Sequence, residues 1–349
     1  MRRAIYPVVW WVSLLLATPL LAAPPYDAIY AFGDSLTDTG NEPAEPYLHY
    51  DGRWSNGPLW VEYLSGRFGF PYNAGNNFAR SGAQCDDTYA QVTNFVAVAD
   101  ISQSLFVVWA GGNDFLQEYD QYWFDNAGWD RQTAYSVCNL SNAVVNLQAK
   151  GARFILVPNT VDITEIPTLN YLPDFLRDYL RSKVQLFNQR LATALDDLQA
   201  AHPDLKLFQC DMFVGEKALL DHHHEYGFTE ANIDALADVT LLDKSFDGPG
   251  ANYVFWDPVH PTTKTHAIIA DMFHAAVAPM NPRLALKPKA TQLELVCSQV
   301  HVTKNYMLQS TTNLVFWADV QTFLCVSNSQ MLLLTNNLPH AFFRLKWSP

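Results

Sequence analysis

The sequence predicts an α/β fold, a mainly parallel sheet covered by helices, followed by a small all-β module. Three observations lead there. Dense apolar runs that stop at Gly or Pro-Asn, as in SLFVVWAGG (104–112) and ARFILVPN (152–159), have the texture of buried parallel strands. Longer stretches with helical spacing, 134–151 and 175–203, lie between and after them and end at Gly151 and Pro203, as helices do. Beyond about residue 280 the runs become short, β-rich and separated by Asn, Ser and Thr, which is the pattern of a small all-β unit.

Taken in order, residues 1–23 read as a leader. Arg2 and Arg3 precede an apolar core that runs through Trp10 and Trp11 to Leu16, and the small residues Ala22 and Ala23 follow. This is the form of a cleavable signal peptide, too short for a membrane span. The mature chain is therefore expected to begin near Ala23 or Pro24 and to be secreted, periplasmic or held at the cell surface. Tyr26–Phe32 is strand-like and feeds the turn formers Gly33, Asp34 and Ser35, which puts Ser35 at the carboxyl end of a strand, where open α/β sheets bind ligands. A plain helix N-cap serine fits the same fragment. LKLFQCD (205–211) reads as a further strand and 264–278 as a helix. MNPRLALKPKATQ (280–292), with its prolines and scattered cations, reads as a linker. The expected division is thus 24–282 for the α/β domain and 283–349 for the β-rich module. Charge agrees, since 283–349 holds six Lys/Arg and two Asp/Glu whereas 24–282 holds 14 and 33.

A net charge of −13 argues against a nucleic-acid partner and against electrostatic docking on an anionic membrane, both of which need a basic face. Five cysteines in an exported chain permit disulfides but leave at least one thiol unpaired. Cys297 and Cys325 both fall in the tail, where they are placed to close a loop. Cysteine and histidine spacing does not fit a structural zinc site.

Three further places carry possible chemistry. In DPVHPT (257–262), Asp257 stands three residues before His260, an arrangement that sets a carboxylate on one imidazole nitrogen and frees the other to take a proton from a serine hydroxyl. A surface loop with an Asp cap is the plainer alternative. Gly82, in NNFARSGAQC (76–85), and Asn113, in AGGNDF (110–115), offer a backbone N–H and a side-chain amide suited to an oxyanion. Each is also ordinary turn chemistry.

The ordered blocks Gly-Asp-Ser-Leu, Asn-Phe-Ala-x-x-Gly-Ala, Gly-x-Asn-Asp and Asp-x-x-His resemble the GDSL, or SGNH, hydrolase family. The resemblance extends from about Tyr26 to Ala278 and includes GRWSNGPLWVEYL (52–64), GARFILVPN (151–159) and YGFTEAN (226–232). It implies a flavodoxin-like three-layer α/β/α domain and a carboxylic ester hydrolase working through an acyl-enzyme. Ser35 is implied as nucleophile, with Asp257 and His260 completing the triad. Ser35, Gly82 and Asn113 would then form the oxyanion hole, with no metal or organic cofactor. The implied substrate is an ester of a lipid, small alcohol or acetylated glycan, with transient contact to a lipid surface left open, as is the oligomeric state. Phospholipase, lipid acyltransferase and polysaccharide O-acetyl esterase activities all use the same triad. A surface binding protein with an idle hydrolase domain is the rival from another class.

Other residues have competing readings. Asp34 is read as structural, ordering the turn and pointing away from the cleft. Histidines 222–224 are consecutive and do not converge on one helix face, which disfavours a metal site. Trp54, Trp60 and EYDQYWFDNAGW (118–129) are open to two readings, the lining of an acyl or sugar pocket or plain packing. The tail resembles small β-rich C-terminal modules of secreted bacterial proteins, which implies no activity.

Overall fold

A computed structural model describes residues 26–97 and 100–278, and in the C-terminal part 283–288, 292–298, 305–311, 318–326, 329–335 and 342–348. The leader expected over 1–23 lies outside the described residues. The central sheet has four parallel strands, β1 (Ile29–Gly33), β2 (Leu105–Trp109), β3 (Phe154–Pro158) and β4 (Lys206–Cys210), in the spatial order β1-β2-β3-β4. Every residue of β2 is buried. Successive side chains on a strand face opposite ways, so helices must cover both faces. They do so in two groups: α1 (Trp60–Phe68) packs on α7 (Thr263–Val277), while α2 (Cys85–Asn94), α4 (Asn126–Ala149) and α5 (Asp174–Ala201) pack in series.

Outside β1 the chain adds an irregular fifth position. The N–H groups of Phe78 and Arg80 donate to the carbonyls of Ala31 (2.8 Å) and Gly33 (3.0 Å), and Ala31 forms a parallel bridge with Asn77. Counting this ribbon, the order becomes 2-1-3-4-5, that of the flavodoxin-like doubly wound sheet. Gly33 allows the closeness of β1 and β2 at their carboxyl ends, because a Cβ built there would stand 2.2 Å from the Trp109 carbonyl oxygen. Gln91 on α2 clamps the same residue, accepting from Gly33 N–H and donating to its carbonyl, each at 2.9 Å.

The short helices α3 (Gly112–Leu116) and α6 (Met212–Asp221) follow β2 and β4, and a parallel pair, β5 (Glu230–Asp234) and β6 (Tyr253–Phe255), precedes α7. Among the described residues no helix is long and apolar enough to cross a membrane.

The C-terminal residues form two antiparallel three-stranded sheets, ordered β10-β9-β12 and β11-β8-β7. Their strands are β7 (Arg283–Pro288), β8 (Gln292–Ser298), β9 (Asn305–Thr311), β10 (Ala318–Leu324), β11 (Ser329–Thr335) and β12 (Phe342–Ser348). A separate small core holds Leu295, Tyr306, Leu308 and Phe323. Two expectations change here. The segment read as a linker contains β7, paired with β8 from Arg283↔Ser298 to Pro288↔Leu293. The run RLALK puts Leu284 and Leu286 at alternate positions, with cations only at its two ends, and Pro288 sits at the end of an edge strand, where a missing N–H costs no ladder bond. Cys297 and Cys325 lie buried in one core, yet both carry free thiols. Burial pushes them up to about 11 and about 12.

Candidate active site

The turn after β1 presents Ser35. The Thr37 and Asp38 N–H groups bond back to the Asp34 carbonyl at 3.0 and 2.9 Å, and the Asp34 carboxyl accepts Leu36 N–H at 3.0 Å. Burial pushes Asp34 up to about 6. Asp34 thus orders the turn as expected, and it is not among the residues lining the cleft.

Across the cleft, 257–260 is a closed loop between β6 and α7. Trp256 N–H donates to the His260 carbonyl at 2.8 Å, Phe255 bridges Pro261, and Thr262 caps α7 by accepting Thr265 N–H. The segment 52–57 stitches this loop to the rest of the domain. Ser55 donates to the Pro261 carbonyl at 2.9 Å and Asn56 accepts Thr263 N–H at 2.8 Å. These bonds carry Trp54 to the cleft, where its ring lies 5.0 Å from that of His260.

Ser35 and His260 meet although 225 residues separate them: Oγ lies 2.8 Å from His260 Nε2. His260 Nδ1 stands 2.9 and 2.8 Å from the two oxygens of Asp257. An ionised carboxylate only accepts, so Nδ1–H donates to it and Nε2 is left to accept the serine proton. Burial opposes ionisation of Asp257, but the His260 ring and the bonds from His260, His49 and Val259 outweigh it and hold the carboxyl well below the usual range.

The proposed oxyanion donors lie on the same cleft of about 310 Å³, which Ser35, Gly82, Asn113 and His260 line together with Trp54 and Tyr119. Gly82 adopts φ +77°, left-handed backbone that favours glycine. Its turn is held from behind. Asp38 accepts Ser81 N–H at 2.9 Å, Gln117 donates to the Gly82 carbonyl at 2.8 Å, and Asn113 Nδ2 donates to the Ala83 carbonyl at 3.1 Å. Among the described residues nothing engages the N–H groups of Ser35 and Gly82. Asn113 is itself braced from the next residue. Asp114, pushed up to about 6 by burial, accepts from Cys85 N–H at 3.0 Å and from the Ser136 hydroxyl at 2.5 Å.

Of the five residues singled out in the sequence, Ser35, Gly82, Asn113 and His260 therefore line one cleft, and Asp257 stands behind His260. The aromatic stretch divides. Trp54 and Tyr119 line the cleft, Trp60 and Trp129 are core, and Trp123 and Phe124 gather with Tyr179 nearby. The three consecutive histidines each bond a different local acceptor, Glu225, the Leu220 carbonyl and the Phe228 carbonyl. Sequence reasoning missed His49, whose Nε2 lies 3.0 Å from Asp257 Oδ2. No local pattern marks it, because the partner is 208 residues away.

Comparison with known proteins shows the family of the chain. The chain belongs to the family of GDSL-like lipases and acylhydrolases, whose sequence profile matches residues 29–273. A thermolabile hemolysin of Vibrio parahaemolyticus is 25% identical over 274 residues, 70% of this chain and 62% of the hemolysin. A phosphatidylcholine-sterol acyltransferase of Aeromonas hydrophila is 26% identical over 334 residues, 75% of this chain and 95% of the acyltransferase. Among solved structures, an acetylxylan esterase from Geobacillus stearothermophilus aligns with a TM-score of 0.45 at 15% identity, covering 74% of this chain and 97% of that one. The protein is thus an ester-hydrolysing enzyme of the GDSL class.

Proposed function

We propose that the protein is an exported serine esterase or lipase that cleaves carboxylic esters through an acyl-enzyme. The observation that carries this reading is the 2.8 Å contact of Ser35 Oγ with His260 Nε2, backed by Asp257 on Nδ1. Ser35 Oγ attacks the ester carbonyl while its proton passes to His260 Nε2. Asp257 stabilises the imidazolium, and the Ser35 and Gly82 N–H groups with the Asn113 amide hold the tetrahedral oxyanion. Collapse breaks the bond to the alkoxy oxygen, which leaves with the proton from His260. Water then repeats the sequence at the acyl carbonyl, returning the acid and free Ser35. No step calls for a metal or organic cofactor.

The leader-like residues 1–23 support export, and 24–282 and 283–349 are proposed as catalytic domain and β-rich module. A relative named as an acyltransferase keeps an alcohol in place of water as a second acceptor at the same acyl-enzyme. The test compares wild type with Ser35→Ala on p-nitrophenyl acetate and with a fluorophosphonate label. Wild type is expected to turn over and to be labelled at Ser35, and the variant to do neither while keeping its fold. Labelling or turnover in the variant at the wild-type level removes Ser35 from the mechanism.

A further inference from the structure

We propose that His49 is a positioning residue for the reaction at Ser35. Through its Nε2–H it fixes the second oxygen of the Asp257 carboxylate, and so holds His260 in the tautomer and orientation that proton transfer requires. The inference rests on the ester-hydrolase reading above.

Donor bookkeeping at Asp257 shows what His49 supplies. Oδ1 accepts two backbone N–H groups, from Val259 at 2.9 Å and His260 at 2.7 Å. Oδ2 has no backbone donor among the described residues and accepts from His260 Nδ1 at 2.8 Å and His49 Nε2 at 3.0 Å. Asp257 is only 6% exposed and His49 only 5%, so solvent is poorly placed to substitute. Without His49, Oδ2 would keep the imidazole as its single partner, and only the backbone bonds to Oδ1 would set the plane of the carboxylate against the ring. A buried acceptor deprived of a donor also keeps an uncompensated desolvation cost.

The ring of His49 is built for this one bond. The carboxylate only accepts, so the proton sits on Nε2. Nδ1 is buried and without a partner among the described residues, so the ring's other nitrogen is committed elsewhere to nothing. The indole of Trp54 lies against both imidazoles, 4.9 Å from the His49 ring and 5.0 Å from that of His260. The two rings thus share one carboxylate and one indole. His49 does not line the cleft, and it acts through Asp257 without touching substrate. Other titratable groups that feel this unit electrostatically are Asp234 on β5, through Asp257, and Asp34 and His266, through His260. None of these three hydrogen-bonds the Asp257 carboxylate.

The experiment measures steady-state hydrolysis of p-nitrophenyl acetate and thermal midpoints for the full chain as wild type, His49→Phe and His49→Gln. Phe keeps a planar ring without a donor, whereas Gln places an amide nitrogen near the position of Nε2. In His49→Phe, kcat is expected to fall about 10- to 100-fold, as displaced catalytic groups do, with KM within about twofold because substrate contacts are untouched. His49→Gln should recover most of the lost kcat. A space-filling role predicts the opposite ranking, with Phe at least as active as Gln. Wild-type kcat in His49→Phe overturns the proposal, as does a Gln variant that folds but is no better than Phe. If Phe fails to fold, the Gln variant decides alone: kcat near wild type supports the donor role and a 10-fold loss at an unchanged thermal midpoint refutes it. An inactive, unlabelled wild type overturns the ester-hydrolase reading along with this one, whereas an active wild type matched by His49→Phe overturns only the role of His49.

Discussion

Asp257 binds His260 twice, by accepting the backbone N–H on Oδ1 at 2.7 Å and by accepting the ring Nδ1–H. The residue that orients the imidazole is therefore itself oriented by the backbone of the residue it serves. In Asp257→Asn, the N–H groups of Val259 and His260 will select the amide oxygen for the Oδ1 position. The amide NH2 then faces His260 Nδ1 and forces the proton onto Nε2, where it points at Ser35. We expect kcat to drop by about 10⁴-fold with the fold intact, the scale seen when a triad imidazole is held in the wrong tautomer. A loss under tenfold on p-nitrophenyl acetate would contradict this orientation.

Asn113 serves the cleft and also ties down the Ala83 carbonyl. Truncation in Asn113→Ala removes one proposed oxyanion donor and loosens the turn that carries another. The expected result is a fall in kcat of about 10²- to 10³-fold. A variant that lost only binding, with KM raised and kcat kept, would assign Asn113 to substrate affinity.

Gly33 tests the scaffold. In Gly33→Ala, a methyl group meets the Trp109 carbonyl oxygen at 2.2 Å, and the obstacle is rigid backbone in the middle of the sheet. We expect a loss of about 3–5 kcal/mol or failure to fold, read by chemical denaturation. Stability within about 1 kcal/mol of wild type would show that β1 and β2 can part without harm.

His266 makes a pH-dependent prediction. It is fully buried on α7 with both ring nitrogens unpartnered among the described residues, and burial pulls it down to about 3. The unfolded chain binds this proton near pH 6.5 and the folded one does not. Its contribution is therefore present above about pH 6.5 and declines on acidification towards pH 3, by up to about 1.4 kcal/mol per pH unit. Asp34 and Asp114, raised to about 6, work in the other direction, favouring the folded state as pH falls from 6 to 4. The difference between His266→Leu and wild type isolates the imidazole. The variant's stability relative to wild type should rise steadily as pH is lowered from 6.5 to 4.5, and a pH-independent difference would show that burial does not suppress this charge.

Legibility followed the range of the interactions. Ser35, Gly82, Asn113, Asp257 and His260 stand in short motifs whose local turn chemistry is visible, and each proved to be placed by its own strand end or loop. Asp257 and His260 could be paired from sequence because three residues separate them. His49 could not, since nothing near it in the chain speaks of Asp257. The ribbon at 77–80 was hidden for a related reason: only alternate N–H groups pair with β1, and the run lacks the continuous apolar texture of the inner strands. β7 was lost to its prolines, which suggest a break although only the one at the strand's end falls inside it.

That ribbon ties solubility to chemistry. An open edge on β1 would invite pairing with another chain, and the 77–80 segment covers it while leading directly into the turn that displays Gly82. Peeling it away would uncover a sticky margin and dismantle part of the reaction chamber in a single movement. Damage at this edge would therefore be read both as association between chains and as lost turnover.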